Sequence, residues 1–364
     1  ATSANGRFDA QAGAKLNFAG AIQGTYQGTG AGAIDLFSDI VIGSAGATFN
    51  FDAGLFRWTG QCIFLDGHTL TNVGSMTFAS NAVLYGGAGG GTLVNQGTIQ
   101  QPNNYYYISD GATLRNEGIY DFTGDAFIYL GSNSPRIVNT SAGVLQKTGG
   151  SGIAYIYVPV VNDGGTVNGV VGTLPLNGVT QSNNGNFNAQ AGATVGLGGT
   201  ITGTFAGTGS GTVGLTADLE IGAAGATFQF APGLFRWINF NLNLNGHTLT
   251  NLGAMTIVTS NSALYGFNGA VVGGTLDNQG TISQPSGDLY LSSDVVLNNA
   301  SVYNLAGNAN IFVAFNNPRI VNTPTGVLAK ISGAATSTIG VAVNNQGGTT
   351  NVLAGKLILG GKTV

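Results

Sequence analysis

The sequence predicts an all-β fold, a parallel β-helix (β-solenoid) of about 21–23 residues per coil. Three observations carry this. A short phrase recurs along the chain with a period of twenty-odd residues. The whole pattern occurs twice. The composition disfavours helix almost everywhere: Gly is 62 of 364 residues and charged residues are only 7%, against roughly 7% Gly and 25% charged residues in ordinary domains. Gly, Asn, Thr and β-branched residues are poor helix formers, and short apolar alternations bounded by Gly and Asn read as strands and turns.

The phrase is clearest in Gly67-His68-Thr69-Leu70-Thr71-Asn72-Val73-Gly74, which returns as Gly246-His247-Thr248-Leu249-Thr250-Asn251-Leu252-Gly253, an offset of 179. Leu55-Phe56-Arg57-Trp58 and Leu234-Phe235-Arg236-Trp237 keep that offset. It becomes 183 by Asn95-Gln96-Gly97 and Asn278-Gln279-Gly280. The net insertion is expected in the Gly-rich stretches Gly86–Gly91 and Gly266–Gly274, where a loop lengthens without disturbing a core. Two homologous units follow, 1–181 and 182–364, expected to stack as one continuous rod.

Within each unit the phrase asparagines set the period. They are Asn72, Asn95, Asn116, Asn139 and Asn162, spaced 23, 21, 23 and 23, then Asn251, Asn278, Asn299, Asn322 and Asn345, spaced 27, 21, 23 and 23. Each period reads as one coil of about three short strands. Each unit then holds about eight coils, and sixteen at ~4.8 Å would span about 75–80 Å. Asparagines at equivalent bends are predicted to form an amide ladder along the axis. Where the phrase has a Gly two residues after the Asn, that Gly is predicted to supply a positive φ at the bend. The chain begins and stops in nearly the same phase of the unit, with no evident polar cap. The expected partners are therefore adjoining repeats or copies of the same chain, stacked head to tail.

Composition excludes several classes. An apolar share of 43% with net charge −4 is not that of a disordered chain. There is no basic tract for nucleic acid and no apolar run of about 18 residues for a membrane span. Cys62 stands alone, and Asn241 takes its place in the second unit, so neither a disulfide framework nor a Cys-based metal site is predicted.

Duplication also tests for chemistry, since a site needed in every unit should keep its polar residues in both. Of the acids, Asp39 and Asp218 clearly correspond, whereas a glycosidase needs two carboxylates about 5–10 Å apart. Asp121 and Asp125 lie close in sequence but face Asn304 and Asn308. His68 and His247 correspond, with no acid or Cys at metal-ligand spacing. No catalytic residue, metal or cofactor is predicted, and the chain is expected not to be an enzyme. The candidates for ligand binding are Phe56, Arg57 and Trp58 with Phe235, Arg236 and Trp237. If exposed, each trio is a platform for a sugar face or a protein partner; if Phe and Trp point inward, they fill the core. Tyr105-Tyr106-Tyr107 also has the look of a stacking surface, though Asp288-Leu289-Tyr290 keeps only one of the three. Arg136, Arg319, Lys147 and Lys330 are expected to satisfy loop carbonyls.

The phrases Leu70-Thr71-Asn72-Val73-Gly74-Ser75-Met76-Thr77, Leu93-Val94-Asn95-Gln96-Gly97-Thr98-Ile99 and Leu114-Arg115-Asn116-Glu117-Gly118-Ile119-Tyr120 resemble the degenerate repeats of bacterial secreted β-helix proteins. These are autotransporter passengers, filamentous-haemagglutinin-like adhesins and giant repetitive surface proteins. The resemblance implies a right-handed helix, export, and a place at the cell surface or in a biofilm matrix. On this reading the chain is a non-enzymatic module of an extracellular fibre or adhesin stalk. The alternatives are an adhesive module that binds surface glycans and, behind it, a polysaccharide-degrading β-helix enzyme.

Overall fold

In a computed structural model, residues 3–258, 261–268 and 271–361 are described. Among them there is no helix, and the chain divides into two compact units, Ala1–Val179 and Thr180–Val364. The division falls two residues before the boundary expected from the repeat. Each unit is a β-solenoid of parallel strands, about eight coils in each.

The core of the first unit is three columns of short strands. One contains Thr69–Asn72, Gly91–Asn95, Ala112–Asn116, Arg136–Thr140 and Val160–Asp163, paired so that Asn72, Asn95, Asn116, Asn139 and Asn162 stand in register. Two residues earlier, Leu70, Leu93, Leu114, Ile137 and Val160 form the apolar column beside them. A second column aligns Met76, Ile99, Tyr120, Leu145 and Val167. The third holds Ala82–Tyr85, Tyr105–Ser109, Phe127–Leu130 and Tyr155–Ile156. Strand side chains alternate between faces, so every second residue enters the core, as in Ala112–Asn116, where Ala112, Leu114 and Asn116 are fully buried. The second unit repeats the scheme, with Asn251, Asn278, Asn299, Asn322 and Asn345 in register.

The asparagines form a directional chain of hydrogen bonds. Nδ2 of each donates to Oδ1 of the next: 2.8 Å for Asn72–Asn95, Asn95–Asn116 and Asn116–Asn139, and 2.9 Å for Asn139–Asn162. In the second unit the four links are 2.9, 2.8, 2.8 and 2.8 Å. The other amide hydrogen goes to a backbone carbonyl of the following coil, as from Asn95 to Ile119 and from Asn278 to Val302, both 2.9 Å. Each ladder begins against an aromatic ring. Phe49 is in register with Asn72, and Phe228 with Asn251. The Oδ1 atoms of Asn72 and Asn251 accept no hydrogen bond among the described residues.

Three features differ from the sequence reading. The early coils of each unit are not broken into short strands. Lys15–Gly28 and Ala33–Phe51 run for 14 and 19 residues, as do Thr194–Gly207 and Thr212–Phe230. Register shifts at Phe18/Gly20 and Ile22/Gly24 take the first pair around the corners as bulges, and Gly20 and Gly24 adopt φ of 92° and 83° there, a conformation open to Gly at little cost.

Of the phrase glycines, Gly164 and Gly347 have positive φ, 74° and 88°, whereas Gly74, Gly97, Gly118, Gly253 and Gly280 do not. These five are needed for close approach instead: a Cβ on Gly97 would lie 2.0 Å from the Gly74 carbonyl oxygen, and one on Gly118 2.2 Å from that of Gly97. The third difference is at the insertion in the second unit. Residues 269 and 270 of that stretch lie outside the described residues, and beside them Phe267–Asn268 pairs antiparallel with Val271–Val272. The Val364 end of the expected phase match also lies outside the described residues.

An interior rung should matter far more than a terminal one. Replacing Asn116 by Ala strands a donor on Asn95 and an acceptor on Asn139. It should lower unfolding stability by about 2–4 kcal/mol, because each buried polar group left unpaired costs about 1–3 kcal/mol. Asn345→Ala, at an exposed rung, should cost less than about 1 kcal/mol. Urea denaturation of the two variants beside the wild type reads the difference.

Candidate functional site

The Phe-Arg-Trp trios are not platforms. Phe56, Trp58, Phe235 and Trp237 are all 0% exposed. A three-residue strand puts its first and third side chains on one face, and here that face is the core. Phe56 lies 4.9 Å from Phe49 and 5.2 Å from Phe51; Phe235 packs in the same way on Phe228 and Phe230. The Trp237 ring N–H donates to the Phe240 carbonyl at 3.0 Å, and Trp58 bonds the Gln61 carbonyl likewise. Only the arginines face outward. Arg57 grips Asp35, its register partner, through Nε and Nη2 at 2.7 and 2.8 Å. Gly214 takes that place opposite Arg236, and among the described residues Arg236 forms no ion pair.

The polar residues kept in both units hold coils together. Asp39 accepts the backbone N–H of Cys62, and Asp218 that of Asn241, both at 2.8 Å and both one coil on. The backbone N–H groups of His68 and His247 close bends by donating to Leu65 and Leu244. Lys147 and Lys330 are fully buried. The Lys147 ammonium donates to the carbonyls of Gly124 and Gly149 and to Asp125 at 2.8 Å; Lys330 donates to the carbonyls of Gly307 and Ser332. Asp121 accepts the Thr148 hydroxyl and Asp125 is bound to Lys147, so this pair is occupied by structural contacts. Burial, then the Asp39 carboxylate, pushes the half-buried Cys62 thiol up, which works against a reactive thiolate. No group of three or more His, Cys, Asp or Glu able to hold a metal is found among the described residues.

Two features escaped the sequence reading. Gln101 and Gln284 are buried partners of Tyr120 and Tyr303. Each phenol donates to the glutamine Oε1, at 2.6 and 2.9 Å, and each Nε2 donates to two backbone carbonyls. The second is the extent of the stacking surface expected at Tyr105 and Tyr107, which is an outward aromatic grid over three coils of the first unit. Tyr105, Phe127 and Tyr155 form one column, with centroids 5.4 and 5.5 Å apart; Tyr107, Tyr129 and Tyr157 form another, at 5.1 and 5.5 Å. Its signal was an aromatic-x-aromatic triplet at 105/107, 127/129 and 155/157. Tyr106, between the first two, is buried, and its hydroxyl has no partner among the described residues. The second unit keeps Tyr290 and Phe312, 5.9 Å apart. Each contact reinforces coil-to-coil stacking by about 0.5–1.5 kcal/mol.

Comparison with protein-family models, with curated proteins and with solved structures found no match.

Two predictions follow from these contacts. The Arg57 guanidinium holds the Asp35 carboxyl below its usual range, with burial opposing. Its contribution to stability is therefore full above about pH 4 and lost as pH falls below that. Asp35→Asn should cost about 1 kcal/mol at neutral pH and nothing near pH 2, as read from denaturation midpoints at the two pH values. Burial pushes the phenols of Tyr106, Tyr120 and Tyr303 upward. Folding is then favoured fully below about pH 10 and loses stability as pH rises beyond it. Tyr106→Phe, which removes a hydroxyl lacking a partner, should leave stability equal or higher, whereas Tyr120→Phe strands the Gln101 oxygen and should cost about 1–3 kcal/mol.

Proposed function

We propose that this chain is a non-enzymatic structural module: tandem β-solenoid units forming part of an extracellular fibre or the stalk of a cell-surface adhesin. One observation carries the reading. Most buried side chains that join coil to coil are shared by the two units, while several exposed positions have diverged. The amide ladders, the Gln101–Tyr120 and Gln284–Tyr303 pairs, the buried lysines and the inward Phe and Trp are shared. The exposed Tyr105 and Ser132 face Asp288 and Phe315.

A repeat that keeps its axial contacts and varies its surface is suited to length and stiffness rather than to turnover. Such an array is stabilised by nearest-neighbour interfaces, so coils can be added without redesigning a core. A charged fraction of 7% and the resemblance to secreted β-helix repeats support an extracellular setting. Head-to-tail stacking of further repeats is the partner interaction that this role calls for.

Electron microscopy with an antibody to the chain tests the proposal. Label along surface filaments of the source cells is the expected result. Axially continuous fibres from purified chains would mean that copies stack; short rods from the same material would mean that covalent repetition makes the length. Label confined to the cytosol, or release of reducing ends from polysaccharides by the purified chain, would overturn it.

A further inference from the structure

One departure of the second unit from the first lies on the strand Asn310–Phe315. In the first unit Ile108 faces Leu130 across the pair of strands, and Gly131 follows. A Cβ on Gly131 would lie 2.5 Å from both Cβ and Oγ of Ser109. The second unit has Ala314 at that position. There Leu291 still faces Val313, but Ser292 faces Phe315, so Ala314 is the extra residue of a bulge. The first unit makes the equivalent bond, Asp110 N–H to the Ser132 carbonyl as Ser293 N–H to that of Phe315, so the difference lies in the side chain: Phe315, 67% exposed, stands where the first unit has Ser132.

A neighbouring turn has changed too. Asn239 and Phe240 replace Gly60 and Gln61 and adopt φ of 57° and 55°. A bulky side chain in the left-handed region is strained, and such strain gathers at functional sites. Phe240 is 42% exposed.

Between these changes lies a hollow of about 400 Å³, whose lining includes Asn241, Ala263, Tyr265, Ser292, Phe315 and Asn316. A second hollow of about 360 Å³ shares Asn241 and reaches Phe240 and Asp218. Leu264 faces Leu291, so Tyr265 lies beside Ser292, and Ser292 faces Phe315. Tyr265 and Phe315 therefore stand two coils apart in one column, about 10 Å at ~4.8 Å per coil, with the small Ser292 between them. A six-membered ring inserted there would sit about 5 Å from each aromatic ring, within the ~4.5–7 Å range of ring contacts.

The polar lining is amide and hydroxyl. Asn241 is held rigidly, with its Oδ1 accepting the Ala263 N–H at 3.0 Å and its own N–H bound to Asp218. The nearby charges are acidic. After burial, Asp218 and Glu220 are what push the Tyr265 phenol upward. Anionic rings such as nucleotides or uronates are disfavoured by that field, whereas a neutral ring with many hydroxyls is not.

We propose that this double hollow binds a neutral polysaccharide, with one pyranose ring between Tyr265 and Phe315 and an adjacent residue of the same chain against Phe240. The site belongs to the second unit alone and gives the module a ligand as well as a length.

Isothermal titration and saturation-transfer NMR with maltohexaose, cellohexaose, laminarihexaose and hexagalacturonate test the proposal. At least one neutral hexasaccharide should bind the wild type, and hexagalacturonate should bind more weakly. Phe315→Ser restores the residue of the first unit and should weaken binding about tenfold or more, as loss of an aromatic anchor does. Phe240→Gln, restoring the residue of Gln61, should weaken it as well. Phe37→Ser, at a 65% exposed site of the first unit, should bind as the wild type does. No binding of any neutral hexasaccharide at millimolar concentration would overturn the proposal. So would unchanged affinity in Phe315→Ser, or hexagalacturonate binding as tightly as the neutral sugars.

Discussion

The structure depends on one constraint: an inward polar group must find its partner in its own coil or in the coils it touches. The buried asparagines show it most plainly. Each amide spends one hydrogen on the next amide and the other on a backbone carbonyl of the next coil. A coil with a misplaced asparagine would leave both neighbours unsatisfied in a dry interior. The intervals of 21 and 23 residues between rungs are therefore held by the cost of missing the ladder. The glycine two residues later answers to the same spacing. It lets one coil's backbone meet the carbonyl of the coil before it, where any β-carbon would collide.

Duplication shows what this constraint permits. Lys147 and Lys330 are equally buried, yet Lys147 has the Asp125 carboxylate and Lys330 relies on carbonyl oxygens. The shared requirement is a long donor reaching across a bend. The counter-charge is an addition, placed where Asp125 stands half in solvent. Likewise Arg57 has Asp35, and Arg236 has Gly214 opposite it. Inward contacts along the axis persist between the copies, while outward contacts between neighbouring coils come and go.

That contrast also explains what could be read from the sequence. The period, the duplication and the amide ladder are legible because identical residues must recur at equivalent places. The orientation of Phe56-Arg57-Trp58 is not, because a strand's alternation tells which residues share a face but not which face is inside. The ladder's aromatic start was hidden for a related reason: the column through Asn72 continues back to Phe49 and Tyr26, where residue type changes although position does not. The long early strands look in sequence like interrupted ones, since Gly20 and Gly24 mark a bend equally well whether or not pairing continues through it. The Gln101–Tyr120 pair left no motif, since its members lie 19 residues apart on different coils.

A one-dimensional core has a further consequence for how a binding surface arises. In a globular domain a new methyl group in a tight place strains a shared centre. In a solenoid each coil touches only its neighbours, so the irregularity at Ala314 stays within one pair of strands. Asp288, Leu289, Tyr290 and Leu291 keep register with Asn310, Ile311, Phe312 and Val313 right up to it, and the core residues Leu289, Leu291 and Ile311 remain fully buried. Phe315 stands there in place of Ser132 and, with Tyr265, lines the hollow. A surface can therefore be built on one coil while the ladder, on another face, continues unbroken from Asn251 to Asn345. Architecture and recognition are separable in this chain because the amide ladder and the aromatic side chains of the hollow belong to different columns.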